Sequence, residues 1–354
     1  MRIRHVEVSP VRLRLREPYS IQYETVEEAT NVFLRVETED GKIGWGCAAP
    51  DPLVTGETPE AAEAALREAA DWLRGRDPLR ISLVAHAIEK KLPRAPSARA
   101  AVDMALHDLL GKAAGLPLFV LMGGYRRSIA TSVTIGIVAL EETLRHARER
   151  VAEGFRILKV KGGKDWREDA EKVIALRREL PPGVRLRFDA NQGYTAQEAL
   201  AFLRRIGKGT LEILEQPTPA RELLALQEVT RKASLPVMAD ESLLSLRDSF
   251  RIAARSLADM VNIKLMKVGG LVPARKANAV AEAGRLETMV GCMDESRVAI
   301  AAGLHFALAH RNVEFADLDG HLDLLDDPAT GAPLLKAGRL SAPNLPGLGV
   351  DVKL

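Results

Sequence analysis

The runs VRLRFDAN (184–191), LEILEQP (211–217) and LPVMADES (235–242) decide the fold of this 354-residue chain. Each is a short apolar stretch that ends in a carboxylate: Asp189, Glu215 and Asp240. These residues follow one another at steps of 26 and 25 positions. A strand, a helix and two short loops take about 25 to 30 residues, so each run reads as a strand followed by a helix. The same texture extends outward on both sides, in TSVTIGI (131–137), RILKVK (156–161), MVNIKLM (260–266), LETMVGCMDES (286–296) and NVEFADLD (312–319). Eight such strands between about residues 130 and 320 match a parallel barrel wrapped in helices. An open doubly wound sheet shares the rhythm, but the strand count and the placement of charge at the strand ends favour the barrel.

The N-terminal part has a different texture. HVEVSPVRLRL and NVFLRVETEDGKIGWGCAAP read as strands, with EDGK as a hairpin turn. TPEAAEAALREAADWLRG and SARAAVDMALHDLLGKAAGLPL read as helices. Ser97 is the expected N-cap of the second, and Gly115 with Pro117 its stop. The expected organisation is an α+β domain over residues 1–124, a barrel over 125–320, and a Gly- and Pro-rich segment over 321–354 that packs back on the first domain.

Composition narrows the function. Hydrophobic residues make up 47% and charged residues 28%, as in soluble globular proteins. A formal net charge of +2 gives no electrostatic reason to expect nucleic acid or an anionic membrane as partner. The N-terminus MRIRHVEVSPVRLRL alternates polar and apolar residues and lacks the apolar core of a signal peptide. No run approaches the roughly 18 apolar residues of a membrane span. Cys47 and Cys292 form no CxxC pair, which suits a reducing compartment. A soluble cytoplasmic protein is expected.

In a barrel, the C-terminal ends of the strands converge on one site. Asp189, Glu215 and Asp240 would meet there, and three anions share a pocket only when a cation offsets their repulsion. All are hard oxygen donors without histidine or cysteine beside them, so Mg²⁺ is the expected ion and zinc is disfavoured. Lys161 and Lys264 end the second and sixth strands, so they should face each other across the ring. Lys159 lies two residues before Lys161 and therefore on the same face. A lysine that acts as a base must be neutral part of the time, and a neighbouring ammonium and a metal both lower its pKa. Lys267, past the sixth strand, is expected to line the loop. Neither VKGGK nor KVGG has the spacing of a phosphate-binding loop, and both read as tight turns.

Together, KVK, DAN, EQP, ADES, NIKLMKVGG and GCMDES resemble the enolase superfamily, in its muconate lactonizing enzyme subgroup. The resemblance covers nearly the whole chain and implies a (β/α)7β barrel, TIM-like, under an N-terminal α+β capping domain. It implies Mg²⁺ on Asp189, Glu215 and Asp240, Lys161 and Lys264 as an acid/base pair on opposite faces of the substrate, and Lys159 as a contact to the substrate carboxylate. In such enzymes the metal and lysines stabilise an enediolate formed when the α-proton of a carboxylate leaves. Relatives in this group are often homo-oligomers.

The subgroup runs cycloisomerisation, o-succinylbenzoate synthesis, N-acylamino acid racemisation and dipeptide epimerisation, and FADLDG arbitrates among them. Asp317 and Asp319 stand two apart on one face and resemble the D-x-D with which dipeptide epimerases hold the peptide N-terminus. The resemblance therefore implies a dipeptide epimerase that inverts the α-carbon of the C-terminal residue by 1,1-proton transfer. Thr134, Cys292 and Asp294 would also line its substrate. N-acylamino acid racemase or o-succinylbenzoate synthase is the alternative, and neither needs a partner for an ammonium group. Epimerases that prefer Ala-Glu carry an arginine in the first capping loop, where EPYSIQYET places Glu24. An acid there argues against an acidic substrate side chain and leaves hydrophobic or cationic dipeptides.

Overall fold

A computed structural model describes residues 1–20, 22 and 25–354, with only the backbone at Tyr19. The eight expected strands are Val133–Ile135, Ile157–Lys161, Arg185–Asp189, Ile213–Glu215, Val237–Ala239, Met260–Lys264, Glu287–Gly291 and Val313–Asp317. Each pairs in parallel with its neighbour in chain order. The two edges then meet. A parallel bridge joins Thr131 to Ala316, and the Ser132 N–H donates to the Ala316 carbonyl at 3.1 Å. The sheet closes on itself, as a barrel does and an open sheet does not. A helix of ten residues or more follows each of the first seven strands, from Leu140–Ala152 to Arg297–Ala309.

The pleat sorts the side chains into two populations. Leu158, Val160, Leu186, Phe188 and Leu214 point outward and are buried beneath the helices. Phe188 packs there on Phe202 in a tilted arrangement, with ring centroids 4.6 Å apart. The inward positions change character along the barrel axis. Ile213, Met238, Met260 and Met289 fill one end with a separate apolar plug, against which Phe315 packs. Two residues further along each strand, the inward positions become Glu215, Asp240, Asn262 and Gly291. The first end of the barrel is largely apolar, with the buried Arg187 guanidinium lying over the Phe315 ring and reaching Met289 Sδ, and the other end carries the carboxylates.

The N-terminal strands Ile3–Ser20, Thr25–Thr38 and Ile43–Ala48 form an antiparallel sheet. It buries its apolar face against the helices Pro59–Leu73, Ile81–Lys91 and Pro96–Ala114. Gly46 is required at that contact, because a Cβ there would lie 1.9 Å from the Ala101 carbonyl oxygen. Ser97 is not the N-cap of the helix Pro96–Ala114, whose cap position is Ala95 with no side-chain bond. The capping function has moved to a distant carboxylate. Glu57 accepts from the Ser97 N–H at 2.7 Å, which satisfies a donor that local sequence would assign to a cap. The helix ends at Gly115 with φ 69°, the left-handed stop expected there.

The last residues form small antiparallel pairs. Ala329–Gly331 pairs with Val350–Val352, and Leu334–Lys336 with Arg339–Ser341, which in turn pairs with Ser128–Ala130. The Leu348 N–H donates to Asp108 Oδ1 at 2.8 Å, in the helix Pro96–Ala114. Among the described residues no helix is long and apolar enough to cross a membrane.

Candidate active site

Strand register assembles the site. Lys161 pairs with Asp189 and Asp189 with Glu215, so three charged residues from successive strands stand in one row. Carboxylate oxygens of Asp189, Glu215 and Asp240 lie within 4.8 Å of one another, and all three residues are buried. Neighbouring amides fix their orientations. The Asn262 amide donates to Glu215 Oε1 at 2.8 Å, and the Asn191 N–H donates to Asp189 Oδ1 at 2.9 Å. Three buried, oriented, hard oxygen donors without sulfur or imidazole fit a divalent cation of the magnesium type.

Four lysines serve these acids. Lys159 Nζ lies 3.0 Å from Asp189 Oδ2, 2.8 Å from Glu215 Oε2 and 2.8 Å from Asp317 Oδ2. Lys161 donates to Asp189 Oδ2 at 2.8 Å. Lys264 Nζ is 2.9 Å from Asp240 Oδ2, on the other side of the cluster. Lys267, expected to line a loop, is instead fully buried and bonds to Asp240 through its carbonyl and its Oδ1.

Burial and charge act against each other throughout the cluster. Burial alone would lower the pKa of Lys264, but Asp240 outweighs it and holds the ammonium well above the usual lysine range. Lys267 goes the other way, because burial and the neighbouring Lys264 outweigh Asp240. Burial and the Asp189 charge push Glu215 up to about 8. Lys264 thus departs from the lowered pKa expected of a lysine base, because the Asp240 carboxylate 2.9 Å away holds its charged form.

The glycines after Lys161 serve packing. Gly163 has φ 104°, and a Cβ there would lie 2.0 Å from the Ala190 carbonyl oxygen. Its N–H donates to Asp169 Oδ2 at 2.8 Å, the same oxygen that accepts from the Tyr194 hydroxyl at 2.7 Å. Only glycine allows the two strand ends to pass so closely.

Beyond the acids opens a cavity of about 890 Å³, bounded by the barrel mouth and the capping strands. Lys159, Lys161, Lys264 and Thr134 line it, as do Cys292, Asp294, Asp317 and Asp319. The Thr134 N–H donates to Asp319 Oδ2 at 2.6 Å, and Cys292 Sγ accepts from the Gly320 N–H at 3.4 Å. Burial pushes Asp317 up, but Lys159 and the Ser132 hydroxyl prevail and leave it at about 2. Burial and the charge of Asp317 push Asp319 up to about 7. The capping sheet reaches the same wall through Asn31. Its amide donates to the Asp294 carbonyl at 3.0 Å and accepts from the Ser296 N–H at 2.7 Å. Glu24 lies outside the described residues. Asn31, Ser132 and Asn262 join the site without being expected from the motifs. Period two would have marked Ser132 and Asn262, each two residues before a cavity-lining residue, whereas no local signal marks Asn31.

Two family models match the chain. Mandelate racemase / muconate lactonizing enzyme, N-terminal domain, matches residues 3–123, and Enolase C-terminal domain-like matches residues 142–354. The chain is 43% identical to the L-Lys-D/L-Arg epimerase of Methylococcus capsulatus, covering 99% of both chains. It is 36% identical to the L-Ala-D/L-Glu epimerase of Bacillus subtilis, over 99% of this chain and 97% of that one. A crystal structure of the dipeptide epimerase from Methylococcus capsulatus, complexed with Mg and the dipeptide L-Arg-D-Lys, superposes with a TM-score of 0.95. It is 43% identical, with both chains fully covered.

Proposed function

The chain belongs to the enolase superfamily, in the mandelate racemase / muconate lactonizing enzyme group, and from that premise we propose that it is a Mg²⁺-dependent dipeptide epimerase. It is an isomerase of the racemase and epimerase type. The substrates in this reading are hydrophobic or cationic dipeptides, free in the cytoplasm. One observation carries the reading: Lys161 and Lys264 contact opposite members of one acid cluster, Asp189 and Asp240, while Asp317 and Asp319 line the same cavity. In its working division, residues 1–124 cap the site, 125–320 carry it, and 321–354 fasten the two together.

Asp189, Glu215 and Asp240 would hold the metal. When bound, it supplies positive charge that offsets these carboxylates and the charge developing on the substrate carboxylate. The rest is done by side chains. Asp317 and Asp319 receive the substrate α-ammonium, which fixes the dipeptide's direction in the cavity. Lys159, which lines the cavity, helps to hold the substrate carboxylate and offsets the charge of the acids beneath. One of Lys161 and Lys264, unprotonated, removes the α-proton of the C-terminal residue, and the other returns a proton from the opposite face. The two exchange roles with the configuration of the substrate.

A mixture of L,L-dipeptides incubated in D₂O with Mg²⁺ tests the proposal by mass spectrometry. Deuterium should enter the C-terminal residue of dipeptides with apolar or cationic side chains. Uptake confined to N-succinyl amino acids, with none in any dipeptide, would move the protein to the racemase reading.

A further inference from the structure

Asp317 is oriented from below by a chain of three side chains, Glu212, Arg187 and Ser132, of which the last two are buried inside the barrel. Arg187 is 2% exposed and sits on an inward position of the third strand. Glu212 fixes its guanidinium, accepting from Nε at 2.7 Å, and the Ala316 carbonyl accepts from Nη1 at 3.1 Å. The same Nη1 reaches the Ser132 hydroxyl at 3.3 Å. A guanidinium can only donate, so the Ser132 oxygen accepts there, and its single proton remains for another partner. Two acceptors compete for it, the Ala316 carbonyl at 3.3 Å and Asp317 Oδ1 at 2.6 Å. The shorter contact, to an ionised carboxylate, prevails, and 2.6 Å falls in the range of a charge-assisted O–H···O⁻ bond.

Asp317 thereby has its two oxygens held apart in function. Oδ1 is fixed by Ser132, and Oδ2 by Lys159 at 2.8 Å. Asp317 is 4% exposed yet lines the cavity, so what remains of its accepting capacity is directed to that space. Asp319, two residues on, is held differently, by the Thr134 N–H. A backbone amide cannot be altered by side-chain substitution, whereas a hydroxyl can.

We propose that Ser132, itself oriented by Arg187, is a positioning residue that holds the Asp317 carboxylate in place for the α-ammonium of the substrate. Without the hydroxyl, Asp317 keeps its charge and its bond to Lys159 but gains a torsional freedom that the cationic end of the dipeptide must then restrict. The loss falls on recognition of the ammonium and not on proton transfer at the far end of the substrate. The inference rests on the proposed function, because it needs Asp317 to meet an ammonium group.

The test compares Ser132→Ala and Asp317→Asn with the unmodified enzyme. L-Lys-L-Arg serves as substrate, and its Nα-acetyl derivative as a competitive inhibitor that lacks the charge. Loss of a charge-assisted hydrogen bond predicts a rise of roughly tenfold in KM for Ser132→Ala, with kcat changed much less. The inhibition constant of the acetylated dipeptide should stay within about twofold. Circular dichroism and the thermal midpoint separate misfolding from the effect, since alanine only removes an oxygen at this site. An unchanged KM overturns the proposal, as does an equal weakening of both ligands, which would mark a general packing role. Asp317→Asn reports separately on the underlying reading. If it too leaves KM for the free dipeptide unchanged, the ammonium site itself is wrong. If it raises KM and Ser132→Ala does not, only the positioning role falls.

Discussion

Lys267 holds Asp240 at two points, donating to its backbone carbonyl at 2.5 Å and to its carboxylate Oδ1. A third bond reaches the Asn262 carbonyl at 3.1 Å. Both side chains are fully buried. Asp240 is therefore locked in side chain and main chain by one ammonium, while Lys264 approaches its other oxygen. Leaving a buried charge without its partner costs roughly 3 to 5 kcal/mol, and because Asp240 keeps Lys264 at 2.9 Å the loss of Lys267 should fall at the low end of that range. Lys267→Met keeps the apolar stem and should lower the unfolding free energy of the metal-free protein by about 3 kcal/mol on that basis. Urea denaturation checks this, and an unchanged midpoint would mean that Lys267 does not secure Asp240.

Lys161→Ala and Lys264→Ala should each abolish epimerisation in both directions while leaving the far-ultraviolet circular dichroism unchanged. Acid–base groups contribute about 10² to 10⁴ in rate, and inversion needs one group on each face. Turnover retained in either variant would falsify the two-lysine mechanism.

Metal removal offers a test that needs no substitution. Three buried carboxylates with oxygens within 4.8 Å of one another repel unless their charge is offset. Chelation by EDTA should stop α-proton exchange, and added Mg²⁺ should restore it. Mg²⁺ at about 100 times its dissociation constant should also stabilise the fold by about 2.7 kcal/mol. A thermal midpoint indifferent to Mg²⁺ would count against these three residues as its ligands.

His305 makes stability depend on pH. Its Nδ1 accepts from the Phe119 N–H at 3.0 Å, and its Nε2–H donates to the Leu348 carbonyl at 3.0 Å. A neutral ring satisfies both bonds, and a second proton would break the first. Burial lowers its pKa from 6.5 to about 4, against a smaller opposing effect of the Leu348 carbonyl. The unfolded chain thus binds the proton more readily than the folded one. Its contribution is fully present above pH 6.5 and is lost as pH falls toward 4. A shift of this size amounts to roughly 3 kcal/mol. Unfolding free energies measured from pH 7.5 to 4.5 should decline, and His305→Gln should flatten that decline. Equal slopes in the two proteins would exclude His305 as the source.

The sequence by itself determined the eight strands, the carboxylates at three successive strand ends, and the lysines at the ends of the second and sixth. These features are legible because strand period and strand–helix spacing are local, and charge in an apolar strand has few innocent explanations. The helix stop at Gly115 was legible for the same reason, since a left-handed residue is a local requirement. Tertiary structure alone decided which partner each charged group meets. Lys159 bonds to Asp317 across 158 residues, Ser132 to Asp317 across 185, and Asn31 to Asp294 across 263. Ser97 looked like a cap, yet Glu57, 40 residues away, takes that role. Lys267 looked like a loop residue, yet closure of the barrel buries it under Asp240. Such pairings depend on how the ring closes and how the cap seats, so chain spacing carries no trace of them.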